Sequence, residues 1–100
     1  MEDSKIYCGA ISFDKDELAE TKINHRIELE YYRTEDKHNY GIEIVKKEYM
    51  EKGIDTEESS ISNICDSRNK VDEIINTLKK YKVTPICLND VVEDIMYQKY

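Results

Sequence analysis

Few side chains in this sequence could do chemistry, and they are scattered. Cysteines stand at positions 8, 65 and 87 and histidines at 25 and 38. Cys65 precedes Asp66-Ser67 and a helical pattern, where a helix dipole could give a thiol thiolate character with a distant histidine as base. It also follows the apolar Ile61 and Ile64, the setting of a small buried hydrophobe where sheet meets helix, and that reading is the stronger. The thiols are 57 and 22 residues apart with no Cys-x-x-Cys pair, so neither a disulfide framework nor a zinc knuckle is encoded. Asp90, Glu93 and Asp94 share a helix face as ligands of a hard cation would, but no turn glycine or further oxygen donors accompany them. No catalytic residue, metal site or cofactor site is expected.

Charge narrows the class of partner. The chain carries 22 acidic and 15 basic residues, a net charge of −7. Its one basic stretch holds Lys70, Lys79, Lys80 and Lys82, with Asp72 and Glu73 near its start, the arrangement a helix macrodipole favours. Nonspecific nucleic-acid affinity rests on neutralising several phosphates with Lys or Arg, so direct DNA or RNA binding is disfavoured. No window approaches the roughly 18 apolar residues of a membrane span. The acidic start Met1-Glu2-Asp3 lacks the basic and apolar regions of a secretory signal, so a cytoplasmic protein is expected. One hundred residues suffice for one core and not for a second lobe enclosing a deep cleft.

The elements that would position these residues can be read from periodicity. Residues 5–13 form a short apolar run rich in β-favouring side chains and predict a strand. Residues 14–22 read as a charged connection. Over 23–34, Ile23, His25, Ile27, Leu29 and Tyr31 alternate with Arg26, Glu28, Glu30 and Tyr32, a strand with one packed and one wet face. Residues 35–39 supply turn chemistry before a strand over 40–49, and these two strands predict an antiparallel hairpin. Residues 50–53 offer a second turn in which Gly53 is free to take positive φ, and 54–63 carries a weaker strand pattern. A helix is predicted over 66–81, capped by Asp66 or Ser67, with Val71, Ile74, Ile75, Leu78 and Tyr81 as its apolar stripe. Thr84-Pro85 predicts a second helix over 85–97, on which Leu88, Val91, Val92, Ile95 and Met96 share a face. The alternative is an extended segment from Val83 to Leu88 followed by a helix capped by Asn89.

The segments Tyr40-Gly41-Ile42-Glu43-Ile44-Val45-Lys46-Lys47 and Val83 to Asp94 resemble a family of short uncharacterised proteins from clostridia and related Firmicutes, a domain of unknown function (6514-like). The resemblance covers roughly residues 27–96 and implies a bacterial cytosolic protein of about this length. It brings no activity, cofactor or catalytic residue.

Together these readings predict one α+β domain spanning residues 1–100: a three- to four-stranded antiparallel meander, then two C-terminal helices packed on one face. Eight tyrosines and no tryptophan are the compositional outlier, and tyrosine suits interfaces because it joins apolar area to a polar tip. Alternation sends Tyr32 to the sheet face opposite Tyr31, where it joins Val45, and these two mark the candidate interaction surface. The expected role is a non-catalytic interaction or regulatory module that meets an unidentified protein partner or a second copy. A basic, DNA-acting partner would suit the acidic charge. The competing reading is a small enzyme or ligand-binding domain with a site between sheet and helices, using Cys65, Cys87 and His25.

Overall fold

The computed structural model describes residues 4–14 and 26–99. Of the expected connection over 14–22, Asp14 instead ends the first strand and the remainder lies outside them, as does the strand start at Ile23 to His25. Four strands, β1 (Ser4–Asp14), β2 (Arg26–Asp36), β3 (Asn39–Met50) and β4 (Gly53–Cys65), form one antiparallel sheet in the order β1-β2-β3-β4. Two helices follow, α1 (Arg68–Lys80) and α2 (Leu88–Lys99), with a single 3-10 turn at Pro85–Cys87 between them. The α+β meander is as expected, and the weak fourth strand is in fact the longest, at 13 residues.

The alternation read from the sequence is the alternation of burial. Ile27, Leu29 and Tyr31 of β2 face inward with Ile42 and Ile44 of β3, and all five are buried. Against them pack Val71, Ile74, Ile75 and Leu78 of α1 and Leu88 and Val92 of α2. Burying the four α1 aliphatics contributes roughly 6–12 kcal/mol gross before chain entropy offsets most of it. The turn after β2 is tight, Lys37-His38 with Lys37 at φ 50°, and Gly53 takes φ 145° as its turn requires. Beyond Ile44 the inner face becomes polar, with Lys46 and Glu48 on β3 opposite Glu57 and Asp55 on β4.

Two bulges adjust the sheet to its helices. Cys8 is an extra residue in β1 between the pairs Tyr7↔Tyr32 and Gly9↔Tyr31, with Gly9 at φ 123°. The bulge turns the Cys8 carbonyl toward α1, where it accepts a 2.9 Å hydrogen bond from Lys79 Nζ. In β4, Ser62, Asn63 and Ile64 stand opposite the single residue Gly41, with Asn63 at φ 56°.

Ser67, not Asp66, caps α1: its Oγ accepts from the Lys70 N–H at 3.3 Å and its carbonyl from the Val71 N–H at 3.1 Å. Ser67→Ala should lower the melting temperature by about 4–8 °C, the effect of about 1 kcal/mol on a domain of this size, with folded-state ellipticity unchanged. Asp72 does not serve the helix dipole as its place near the basic stretch suggested. It reaches the sheet, where its carboxylate accepts from Arg33 Nη1 at 2.9 Å, and Arg33 also holds Glu35.

Tyr81 departs from the expected stripe. The helix stops at Lys80, Lys82 takes φ 54°, and the Lys82 and Val83 N–H groups donate to the Lys79 and Leu78 carbonyls. This Schellman turn sends Val83 inward onto the core and leaves Tyr81 exposed. Helical backbone then begins at Pro85, in the first helical position, and the extended alternative through Leu88 is not what forms.

Candidate functional site

With α1 and α2 on the inner face, the outer face of the sheet is the broad surface they leave uncovered. It is built from strand positions that pair across the sheet: Lys5 and Tyr7 on β1, Glu28, Glu30 and Tyr32 on β2, Glu43, Val45, Lys47 and Tyr49 on β3, and Ile54 and Glu58 on β4. Tyr32 is its hub. The Tyr7 ring meets it edge-on at 5.7 Å between centroids, and Lys5 Nζ lies 4.4 Å over its face. Lys5 also reaches Glu43 at 3.4 Å. The Tyr32 hydroxyl donates to Glu30 at 2.9 Å, and the second oxygen of Glu30 accepts from Lys47 at 3.2 Å. Tyr49 donates to Glu28 at 3.1 Å, extending the lattice toward the β3–β4 turn.

These bonds polarise their members. Burial, then the hydrogen bond to Glu30, pushes the Tyr32 phenol up to about 12. The Glu30 carboxylate raises Lys47, and the bond to Glu28 raises Tyr49.

Tyr32 and Val45 do lie together on this face, on a diagonal of the β2–β3 ladder two residues out of register. Val45 is only 7% exposed, set in the ladder between Glu30 and Glu58, so it supports the surface and offers no apolar patch. The most exposed aromatic of this face is instead Tyr7, at 59%, with Tyr49 exposed to a lesser degree. Sequence reasoning passed over Tyr7 because the bulge at Cys8 shifts the parity of β1, and Gly9 is the one local sign of that shift.

At the β2–β3 hairpin end of the same face lies a polar pocket of about 260 Å³, lined by Lys5, Thr34, Glu43, Ser60, Ser62 and Asn63 among others, with Gly41 at its floor. A second concavity, between α1 and α2, is lined by Thr77, Lys80, Tyr81, Asp94, Ile95 and Gln98. Neither is lined by a thiol or an imidazole among the described residues.

The reactive side chains weighed from sequence have structural settings. Cys65 is half-buried against the core, its thiol directed to the Ser67 carbonyl at 3.4 Å, as a small junction hydrophobe would be. Cys87 is exposed on the 3-10 turn, and His25 lies outside the described residues. The space between sheet and helices, where a catalytic site was the competing expectation, is filled by fully buried side chains including Leu29, Ile42, Ile74 and Leu78.

Asp90, Glu93 and Asp94 are all exposed on α2. A tighter carboxylate group, absent from the sequence reading because it spans two strands, is Glu48, Asp55 and Glu57, whose ligand atoms lie within 4.8 Å of one another. The Lys46 ammonium stands 3.3 Å from Glu48 and 3.6 Å from Glu57 and already compensates two of the three.

Comparison with known proteins adds one finding. A family model described as a family of unknown function (DUF6514) matches residues 6–98. No curated protein and no solved structure matches the chain.

Proposed function

The chain belongs to the DUF6514 family of unknown function, and from that premise we propose that it is a non-catalytic protein-interaction module whose contact surface is the outer face of the sheet. One observation carries this: both helices lie on one face of an open sheet, while the opposite face holds the exposed Tyr7 against Tyr32 inside a lattice of ion pairs. A surface whose side chains are already held loses little conformational freedom on binding. Tyrosine is among the residues that dominate interface energetics. The net charge of −7 favours a partner with a basic contact surface and salt-sensitive association.

The test uses a photo-reactive aromatic amino acid in place of Tyr7, introduced in the native cell. A single protein adduct is expected, with capture weakened by about tenfold or more in a Tyr32→Ala variant that remains folded. The same adduct formed with equal yield from a probe at the exposed Asn76 of α1, or no adduct from position 7, would sink the assignment of this face.

A further inference from the structure

β4 is a free edge. β3 pairs with one side of it from Met50↔Gly53 to Ile42↔Ile61, and no strand among the described residues pairs with the other. Proteins commonly blunt such edges with charged side chains, proline or bulges, since unpaired N–H and C=O groups recruit other strands, and charges on an edge exclude strands that do not match them. Here the bulge at Ser62 to Ile64 disrupts only the C-terminal end, and the run Ile54 to Ile61 pairs in unbroken register without lysine or proline. That run carries Asp55, Glu57 and Glu58 and no cation. Neither Asp55 nor Glu58 has a hydrogen-bond or ion-pair partner among the described residues, and Glu57 shares Lys46 with Glu48.

We propose that this edge takes up an extended basic segment of a partner protein as a fifth strand. The proposal rests on the reading of the chain as an interaction module and extends it to the sheet edge, which shares Ile54 and Glu58 with the outer face. Register specifies the segment. Asp55, Glu57 and Ile61 share the inner face of the sheet, whereas Ile54 and Glu58 share the outer one. An antiparallel strand laid along this edge meets Ile61, Ser60, Ser59, Glu58, Glu57, Thr56, Asp55 and Ile54 in that order. It therefore needs apolar residues at its two ends and Lys or Arg at its fourth, fifth and seventh positions, two of them on one face and one on the other. Ladder hydrogen bonds supply affinity for any sequence, and the opposed charges select among sequences. A second copy pairing β4 with β4 fits badly, because it sets the carboxylates of both copies on one ribbon without a cation.

An end-capped peptide with leucine at both ends, lysine at the fourth, fifth and seventh positions and threonine elsewhere tests this against the intact protein. Binding should slow amide exchange in β4, weaken with added salt, and fall by about tenfold in the triple variant D55N/E57Q/E58Q. Methylating the peptide nitrogens that face β4 should abolish binding while leaving every charge in place. Equal binding of the methylated peptide, unchanged affinity of the triple variant, or no binding of the parent peptide would each overturn the proposal. Tyr7→Ser serves as the control that separates the two surfaces: it impairs the outer-face interaction and leaves peptide affinity at the edge unaltered.

Discussion

Gly41→Ala should be among the most damaging single-methyl changes this domain can suffer, lowering its melting temperature by on the order of 10 °C. The reason is a close approach of three strands. A methyl group at position 41 would be driven into the carbonyl oxygen of Ile61 and the hydroxyl of Thr34, and would lie 3.0 Å from Ser62 Cα. Thr34 can rotate, but Ile61 and Ser62 present backbone, so β4 itself must move. Overpacking of this kind costs about 1–3 kcal/mol. The same displacement would open the bulge of Ser62, Asn63 and Ile64 and deform the polar pocket above residue 41. Gly53→Ala is the informative comparison. Nothing lies within 4 Å of a methyl group there, and its penalty comes from φ 145° alone. Thermal melts of the two variants should show the larger drop in Gly41→Ala, with faster amide exchange in β4. A Gly41→Ala midpoint within a degree or two of the parent would show that the strands do not approach as described.

That close approach also marks where the sequence stops being readable. Period two in Ile27, Leu29 and Tyr31 and the three-four spacing of Val71, Ile74, Ile75 and Leu78 are imposed by burial on one side of a regular element, so they are visible without knowing the partner. The same holds for Ser67 and Pro85, whose roles are set within one turn of chain. Bulges are different. The extra residue at Cys8 exists because its carbonyl meets Lys79, 71 positions away, and no local pattern announces that meeting. Lys82 ends α1 in a conformation that usually calls for glycine, because burying Val83 on the core outweighs the local strain. Tyr81 is thereby expelled from a stripe that it fits by spacing.

The candidate surface was legible to the same depth. Alternation placed Tyr32 and Val45 on one face, since that follows from parity alone. It could not show that the neighbours of Val45 bury it, or that Tyr7 and Lys5 arrive beside Tyr32, because both depend on pairing between strands. The acidic edge of β4 has the same origin. Nothing local to Asp55, Glu57 and Glu58 shows that their strand lies last in the sheet order, with no strand on its far side among the described residues.

Tyr31→Ala should be the most destabilising substitution, with Tyr31→Phe exposing its polar component. Tyr31 is fully buried, and its hydroxyl donates to the Val83 carbonyl at 2.9 Å. Val83 is the joint between the helices: its N–H closes the end of α1 on Leu78, and its carbonyl is tied to the sheet by this bond. Phenylalanine keeps the ring and leaves that carbonyl unpaired, a loss of about 1–3 kcal/mol. Alanine adds a cavity, for about 3–5 kcal/mol from the ring alone, against a total stability of about 5–15 kcal/mol for such domains. A pH series separates the hydroxyl from the ring. Burial pushes the Tyr31 phenol from 10.0 up to about 12, so the unfolded chain releases its proton before the native state does. The resulting stabilisation is complete below pH 10 and drains away as pH rises toward 12. Tyr32, raised to about 12 as well, adds to the decline and remains in the variant. Chemical denaturation across this range should therefore show a shallower alkaline loss in Tyr31→Phe than in the parent, together with faster amide exchange in α2. Parallel pH profiles would mean that the Tyr31 phenol is not buried as described, and unchanged amide exchange in α2 would mean that the helix joint is anchored by packing alone.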